Sequence, residues 1–243
     1  MRILWQIDSK DIERVRAFYK QYEHNRFVLE RWKCNVINPP TIISKDEFWY
    51  TMIECLLTTQ QRSGPESAVM KFVKQRPFPL SYEFCLKTRN LEGFCEETIR
   101  QFGGIRRGKK IGQAAHENLA RLEAGTWKEV FTSLEQLGKG RSPADERRVA
   151  RLIDARLAEF GPKQSRNLLQ TMGVTRYEIP VDSRIIKWLN RFDFPVKVDA
   201  KRLQNEDYYC FVLDGVQALC RECAILPCML DAAIFVSFDA KAT

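Results

Sequence analysis

The chain has 243 residues, enough for one large domain or two small ones and for a sizeable core without staples. Hydrophobic residues make up 44%, which excludes a disordered chain, and a net charge of +8 from 39 basic and 31 acidic residues points to a polyanionic partner. The longest apolar stretch, Ala224 to Phe238, is interrupted by Asp231 and is too short and too charged to span a membrane. At the start of the chain Asp8, Lys10 and Asp11 arrive before any apolar core, unlike a secretory signal. Eight Cys without a secreted-domain framework suit a reducing, cytoplasmic setting. Helix formers dominate and alternating Val, Ile and Thr are scarce, so an all-α fold is expected.

In chain order, residues 1–30 read as one amphipathic helix with Ile12, Val15, Phe18 and Tyr19 at helical spacing, closed by Asn38-Pro39-Pro40-Thr41. A second helix starts at Ser44-Lys45-Asp46-Glu47, a capping-box pattern, and carries Phe48, Met52, Cys55, Leu56 and Leu57 inward before the polar run from Thr58 to Pro65. Another runs from Glu66 to Val73, ahead of Pro77 and Pro79. Residues 81–102 hold two short helices, and Ile105-Arg106-Arg107-Gly108-Lys109-Lys110 leads into a helix reaching about Ala124. An amphipathic helix over 126–137 and a polar loop from Lys139 to Pro143 follow. Glu146 to Phe160 is a helix, Gly161-Pro162 a turn, and Lys163 to Met172 a second helix. Thr175 to Pro180 crosses over, Asp182 opens a helix ending near Phe192, and two more lie at about 205–222 and 228–239. Charge is uneven, with 15 Lys and Arg against 8 Asp and Glu in residues 100–166, the footprint of a nucleic-acid partner or of a basic but inert surface.

The turn at Gly161-Pro162 has a mechanism of its own. Gly supplies an unrestricted turn residue, Pro suits the first helical position, and a helix N-terminus binds phosphate. Nineteen residues after Lys163, Pro180-Val181-Asp182-Ser183 puts a carboxylate at another helix start. With Gly161-Pro162-Lys163 and Val181-Asp182 in these places, the chain resembles the helix-hairpin-helix superfamily of DNA glycosylases, which includes endonuclease III and the 8-oxoguanine glycosylases. Leu56-Leu57-Thr58-Thr59-Gln60 is similar to the family's early helix and its inserting loop, and Gly104 to Ala124 to its basic segment before the hairpin. Met229-Leu230-Asp231-Ala232-Ala233-Ile234-Phe235 resembles the last helix of archaeal-type 8-oxoguanine glycosylases. Two positions depart from the pattern. Glu159 stands for the first hairpin Gly and opposes phosphate docking, and Ala158 stands for the preceding Pro.

The resemblance implies two helical subdomains flanking a DNA-binding cleft. Residues 1–44 are then an N-terminal extension packed on a core of 45–240, with a central subdomain at about 60–160 and the hairpin at about 146–172. It implies nucleotide flipping and excision of a damaged or modified base from duplex DNA. The Asp182 carboxylate supports the cation-like sugar, and a Lys163 Schiff base adds abasic-site lyase activity. Gln60 and Gln61 fill the gap left by the base. Arg106, Arg107, Lys109, Lys110, Gly161, Gln164 and Ser165 meet the DNA, and Phe235 and Phe238 are candidates for the base pocket. The simpler alternatives are a capping Asp182, a solvated Lys163, core phenylalanines and a solvated basic face. A hypermodified, phage-type base in a defence role and a non-catalytic DNA-binding module are the rival functions.

Cys210, Cys220, Cys223 and Cys228 invite an iron–sulfur cluster, but their gaps of nine, two and four residues depart from endonuclease III, and a helical apolar face runs through the segment. No cluster is expected. His24 and His116 are single and far apart, so no metal site is expected either. The expected partner is double-stranded DNA, with no membrane, no small-molecule cofactor, and a monomeric chain.

Overall fold

The computed structural model describes residues 4–61, 64, 66–139 and 141–239. Among them every regular element is helical and no strand is present, as the composition predicts. In chain order the helices are α1 (Ser9–Lys20), α2 (Arg26–Arg31), α3 (Lys45–Leu57), α4 (Ala68–Val73), α5 (Tyr82–Lys87), α6 (Leu91–Phe102), α7 (Gly108–Arg121), α8 (Trp127–Lys139), α9 (Pro143–Arg156), α10 (Pro162–Thr171), α11 (Ser183–Arg191), α12 (Glu206–Cys223) and α13 (Pro227–Asp239). Wider π turns continue α2 over Trp32–Ile37 and join α7 to α8 over Leu122–Thr126. Arg62, Ser63, Pro65 and Gly140, all in predicted loops, lie outside the described residues.

Local chemistry sets the boundaries. Ser44 and Glu47 form the reciprocal cap read from the sequence: Glu47 N donates to Ser44 Oγ at 3.2 Å, and Ser44 N donates to Glu47 Oε2 at 2.8 Å. The single helix expected over residues 1–30 is two helices. Asn25 takes an extended backbone and accepts from Phe27 N at 2.9 Å, so it caps a fresh start. The helix expected to reach Ala124 stops at Arg121, and Gly125 at φ 121° turns the chain into α8.

The chain forms two compact units. One comprises residues up to Pro40, Gln136–Arg151 and Gly161 onward, and the other comprises Thr41–Glu135 and Leu152–Phe160. In the first unit α1 packs on α12, and α2 and α11 pack on α13. Helix α13 is its centre, with every side chain from Cys228 to Ile234 buried. A helix apolar all round belongs in a core, and Asp231 is the one charge on this buried stretch. In the second unit α3 buries Phe48, Trp49, Met52, Ile53, Leu56 and Leu57, each worth roughly 2 kcal/mol of transfer free energy. There α6 lies close against α7, and Gly112 permits it: a Cβ at that position would stand 2.5 Å from the Glu92 carbonyl oxygen.

Candidate active site

Pro162 occupies the first turn of α10, as the sequence predicts, and Gly161 ahead of it is extended and offers no side-chain cap. Glu159, in the place of the family's first hairpin Gly, adopts φ 61°, a left-handed backbone that costs a residue with a Cβ roughly 1 kcal/mol. Arg107, also left-handed at φ 67°, meets it, with Nη2 donating to Glu159 Oε2 at 2.9 Å. The ion pair neutralises the carboxylate that the sequence sets against phosphate docking. It also occupies Arg107, while Arg106, Lys109 and Lys110 remain exposed in the same unit.

The two glutamines after α3 are placed differently. Gln60 is exposed at φ 57°. Gln61 is half-buried and braced: its Oε1 accepts from Arg106 N at 2.9 Å and its Nε2 donates to the Leu57 carbonyl. The Arg106 guanidinium donates to the Gln60 carbonyl, closing the loop on itself. Gln164 and Ser165, named with the hairpin as DNA contacts, have buried side chains. Ser165 Oγ reaches the Gly161 and Pro162 carbonyls at 3.1 Å each, and Gln164 Oε1 accepts from Lys163 Nζ at 3.0 Å.

Asp182 caps α11. Its Oδ1 accepts from Arg184 N at 2.8 Å and Ile185 N at 3.1 Å, and its Oδ2 accepts from Arg184 Nη1 at 3.2 Å. The crossover that delivers it is held by buried polar groups. The fully buried Glu146 carboxylate accepts from the backbone amides of Arg176, Tyr177 and Glu178 at 3.0, 2.7 and 2.9 Å. Burial outweighs these three bonds and pushes the Glu146 carboxyl up to about 7. The Tyr209 hydroxyl donates to Ile179 O at 2.8 Å and accepts from Val181 N at 2.6 Å. Arg166, with no exposed surface, donates to Glu178 at 2.9 Å and to Glu206 at 2.7 Å. Arg147 shares Glu178 at 2.9 Å, and Arg151 shares Glu206 at 3.0 Å. Side chains from distant helices thus satisfy much of the backbone of a segment without helix or strand.

Lys163 and Asp182 lie in the same unit, and the charges of both bear on a third residue, Asp231. Burial pushes the Asp231 carboxyl up to about 6. The Arg31 charge opposes this, the Asp182 charge adds to it, and a hydrogen bond from Gln170 and the Lys163 charge oppose it further. Gln170 Nε2 donates to Asp231 Oδ2, and Gln170 Oε1 is buried without a partner. Charges from the α10 start, the α11 cap and the end of α2 therefore converge on one buried acid of α13. The sequence marks Asp231 only as a break in an apolar run. A lone carboxylate that far inside a core helix is the signal that finds it. Glu146, Gln170 and Arg31 carry no comparable mark.

Phe235 lies one turn beyond Asp231, half-buried. It stacks on Phe27 with centroids 4.7 Å apart, under the Arg184 guanidinium at 4.2 Å. Phe238 is half-buried with the Arg191 guanidinium 5.6 Å from its centroid. The four cysteines have different surroundings. Cys210 Sγ sits 3.3 Å from Glu206 Oε1 and 3.6 Å from Arg151 Nη2, whereas Cys220 feels Cys223 and Cys228. Burial pushes the Cys210 thiol up to about 11 and the Cys228 thiol up to about 12. Among the described residues no group of three or more His, Cys, Asp or Glu is placed to hold a metal ion.

No protein-family model matches the chain, and no curated protein matches it. Among solved structures it is similar to the crystal structure of the 8-oxoguanine DNA glycosylase of Thermotoga maritima, with a TM-score of 0.60, 93% of each chain covered and 15% identity. The chain shares the fold of that protein. Coverage this broad leaves out fewer residues than the 44 of the expected N-terminal extension, so the shared fold takes in part of that segment. No described helix is long and apolar enough to cross a membrane.

Proposed function

We propose that this protein is a DNA glycosylase that flips a damaged or modified nucleotide out of duplex DNA and breaks its glycosidic bond, with Lys163 adding abasic-site lyase activity. One observation supports the reading: the chain shares the fold of an 8-oxoguanine DNA glycosylase, with Lys163 in the first turn of α10 and Asp182 at the head of α11 in the same unit. As the bond to the base stretches, positive charge grows at C1′ and O4′, and the Asp182 carboxylate stabilises it. Lys163 Nζ, as the neutral amine, forms a bond to C1′ as the base departs with the bonding electrons. Ring opening gives the Schiff base, and loss of a C2′ proton then expels the 3′ phosphate by β-elimination. Gln60, exposed in a left-handed turn, is the better of the two candidates for filling the vacated stack, because Gln61 is spent on holding the loop. Arg106, Lys109, Lys110 and the hairpin backbone at Gly161 position the duplex phosphates. The enzyme works as a monomer and without a cluster.

Borohydride trapping on duplex oligonucleotides tests this. One duplex carries an abasic site, and others carry 8-oxoguanine, alkylated, deaminated and hypermodified bases. A covalent adduct on the abasic duplex, lost in Lys163→Gln, establishes the lyase. The base that also yields an adduct names the substrate and decides between housekeeping repair and defence against modified phage DNA. Base release without any adduct restricts the activity to a single-function glycosylase. Binding without release or adduct leaves a DNA-binding module and overturns the proposal.

A further inference from the structure

The N-terminal segment reaches the candidate site through a defined chain of contacts. Arg31, the last residue of α2, donates from Nη1 to the Gln170 carbonyl at 3.1 Å. The buried Asn35, in the π turn that follows, donates to the same carbonyl at 2.9 Å and to the Thr175 carbonyl at 2.8 Å. Gln170 in turn donates from its side chain to Asp231 Oδ2. Phe27, one turn before Arg31, stacks on Phe235, one turn after Asp231. One contact therefore ties α2 to α13 a turn beyond the buried acid, and a second, from Arg31, ties α2 to the Gln170 of α10 that bonds the acid.

We propose that this segment is part of the active site, with Arg31 as a positioning residue that acts on Asp231 from the Gln170 they both contact, so that base release draws on two carboxylates, Asp182 and Asp231. The consequence for catalysis rests on the glycosylase reading; the electrostatics do not. The groups that face Asp231 are Arg31 from α2, Gln170 and Lys163 from α10, Asp182 at the head of α11, and Cys228 one turn back on α13. Cys228 is held protonated and contributes no charge, and Asp182 opposes a second negative charge. Burial favours neutral Asp231, and Arg31 is foremost among the charges acting the other way. An ionised Asp231 deepens the negative potential in which the sugar acquires positive charge, and a protonated one does not.

The test follows Asp231 itself in the intact chain, by carbon-13 NMR of its carboxyl across pH, with Asp231→Asn to assign the signal. In Arg31→Gln the midpoint rises by about one pH unit, and in Arg31→Lys, which restores the charge, it returns toward the wild-type value. If Arg31→Gln does not fold, Arg31→Met, which keeps the apolar stem near Phe27, takes its place. The acid limb of the pH profile for base release moves upward with the midpoint. A midpoint that is the same with and without the arginine charge overturns the inference, as does a lysine variant that folds and behaves like the glutamine one. If the midpoint moves while the wild type releases no base, the glycosylase reading and its catalytic consequence fall, and the coupling of Arg31 to Asp231 is supported.

Discussion

Asp182 caps α11 with one carboxylate oxygen and holds Arg184 with the other, so its substitutions separate structure from chemistry. Asp182→Asn keeps a good cap and should lower base release by roughly 100-fold or more in single-turnover assays while leaving the unfolding midpoint nearly unchanged. Asp182→Ala adds a stability loss of about 1 kcal/mol from the lost cap. Equal damage to stability in both variants would mean that the carboxylate serves the fold alone. Lys163 interacts with its neighbour Gln164 and does not support the core. Lys163→Gln should therefore abolish strand incision and trapping while duplex affinity stays within a few-fold. Glu159 offers a gain. Glu159→Gly relieves a left-handed Cβ worth roughly 1 kcal/mol, loses an exposed ion pair worth less, and frees Arg107 for phosphate. Tighter duplex binding at unchanged or higher stability is expected, and weaker binding would show that the pair is needed to shape the turn.

At the scale of elements, the segment from Gly173 to Asp182 is the part least legible in the sequence and most consequential for the site. The capping box at Ser44, Pro162 at the start of α10 and the cap by Asp182 are local patterns, and each appears where the residues place it. The all-helical class follows from composition in the same way. The crossover has no period to read, because its backbone groups are satisfied by Glu146, Tyr209 and Gln217, which lie far off in the chain. Arg31 and Gln170 are hidden for the same reason, since only the packing of α2 on α13 brings them to Asp231. Glu146→Ala leaves three amides without their acceptor, at about 1–3 kcal/mol each, and a loss of several kcal/mol in denaturant unfolding is expected. The pH dependence has a definite sign. The folded state raises Glu146 from 4.5 to about 7 and Asp231 from 3.8 to about 6. Their stabilising contribution is full below the lower values and is lost as pH rises through the upper ones. Unfolding free energy should fall between about pH 4 and pH 7, by roughly 3 kcal/mol from Glu146 alone, and Glu146→Gln should flatten that slope. A wild-type stability that climbs across this range would contradict the placement of both acids.

For the whole molecule, the proposed function and the basic excess between residues 100 and 166 together make affinity for duplex DNA, as proposed, a matter of counterions. Lys109→Ala and Lys110→Ala should each lower the slope of log affinity against log salt by about 0.9 and weaken all sequences alike, as phosphate contacts do. A variant that changes discrimination between bases without changing that slope would move the lysine from the backbone to the base. The arginines and carboxylates that fix the crossover bear on the chain's history as well. Removing any one of Arg166, Glu178 or Glu206 strands a buried partner at a cost of about 3–5 kcal/mol, whereas replacing the group together with apolar residues is often neutral. Single substitutions therefore lead downhill from here, and only a coordinated change reaches the apolar alternative. Descendants of this sequence are free to vary around the hairpin and the basic face, but along the approach to Asp182 they inherit a combination that drift cannot dismantle one step at a time.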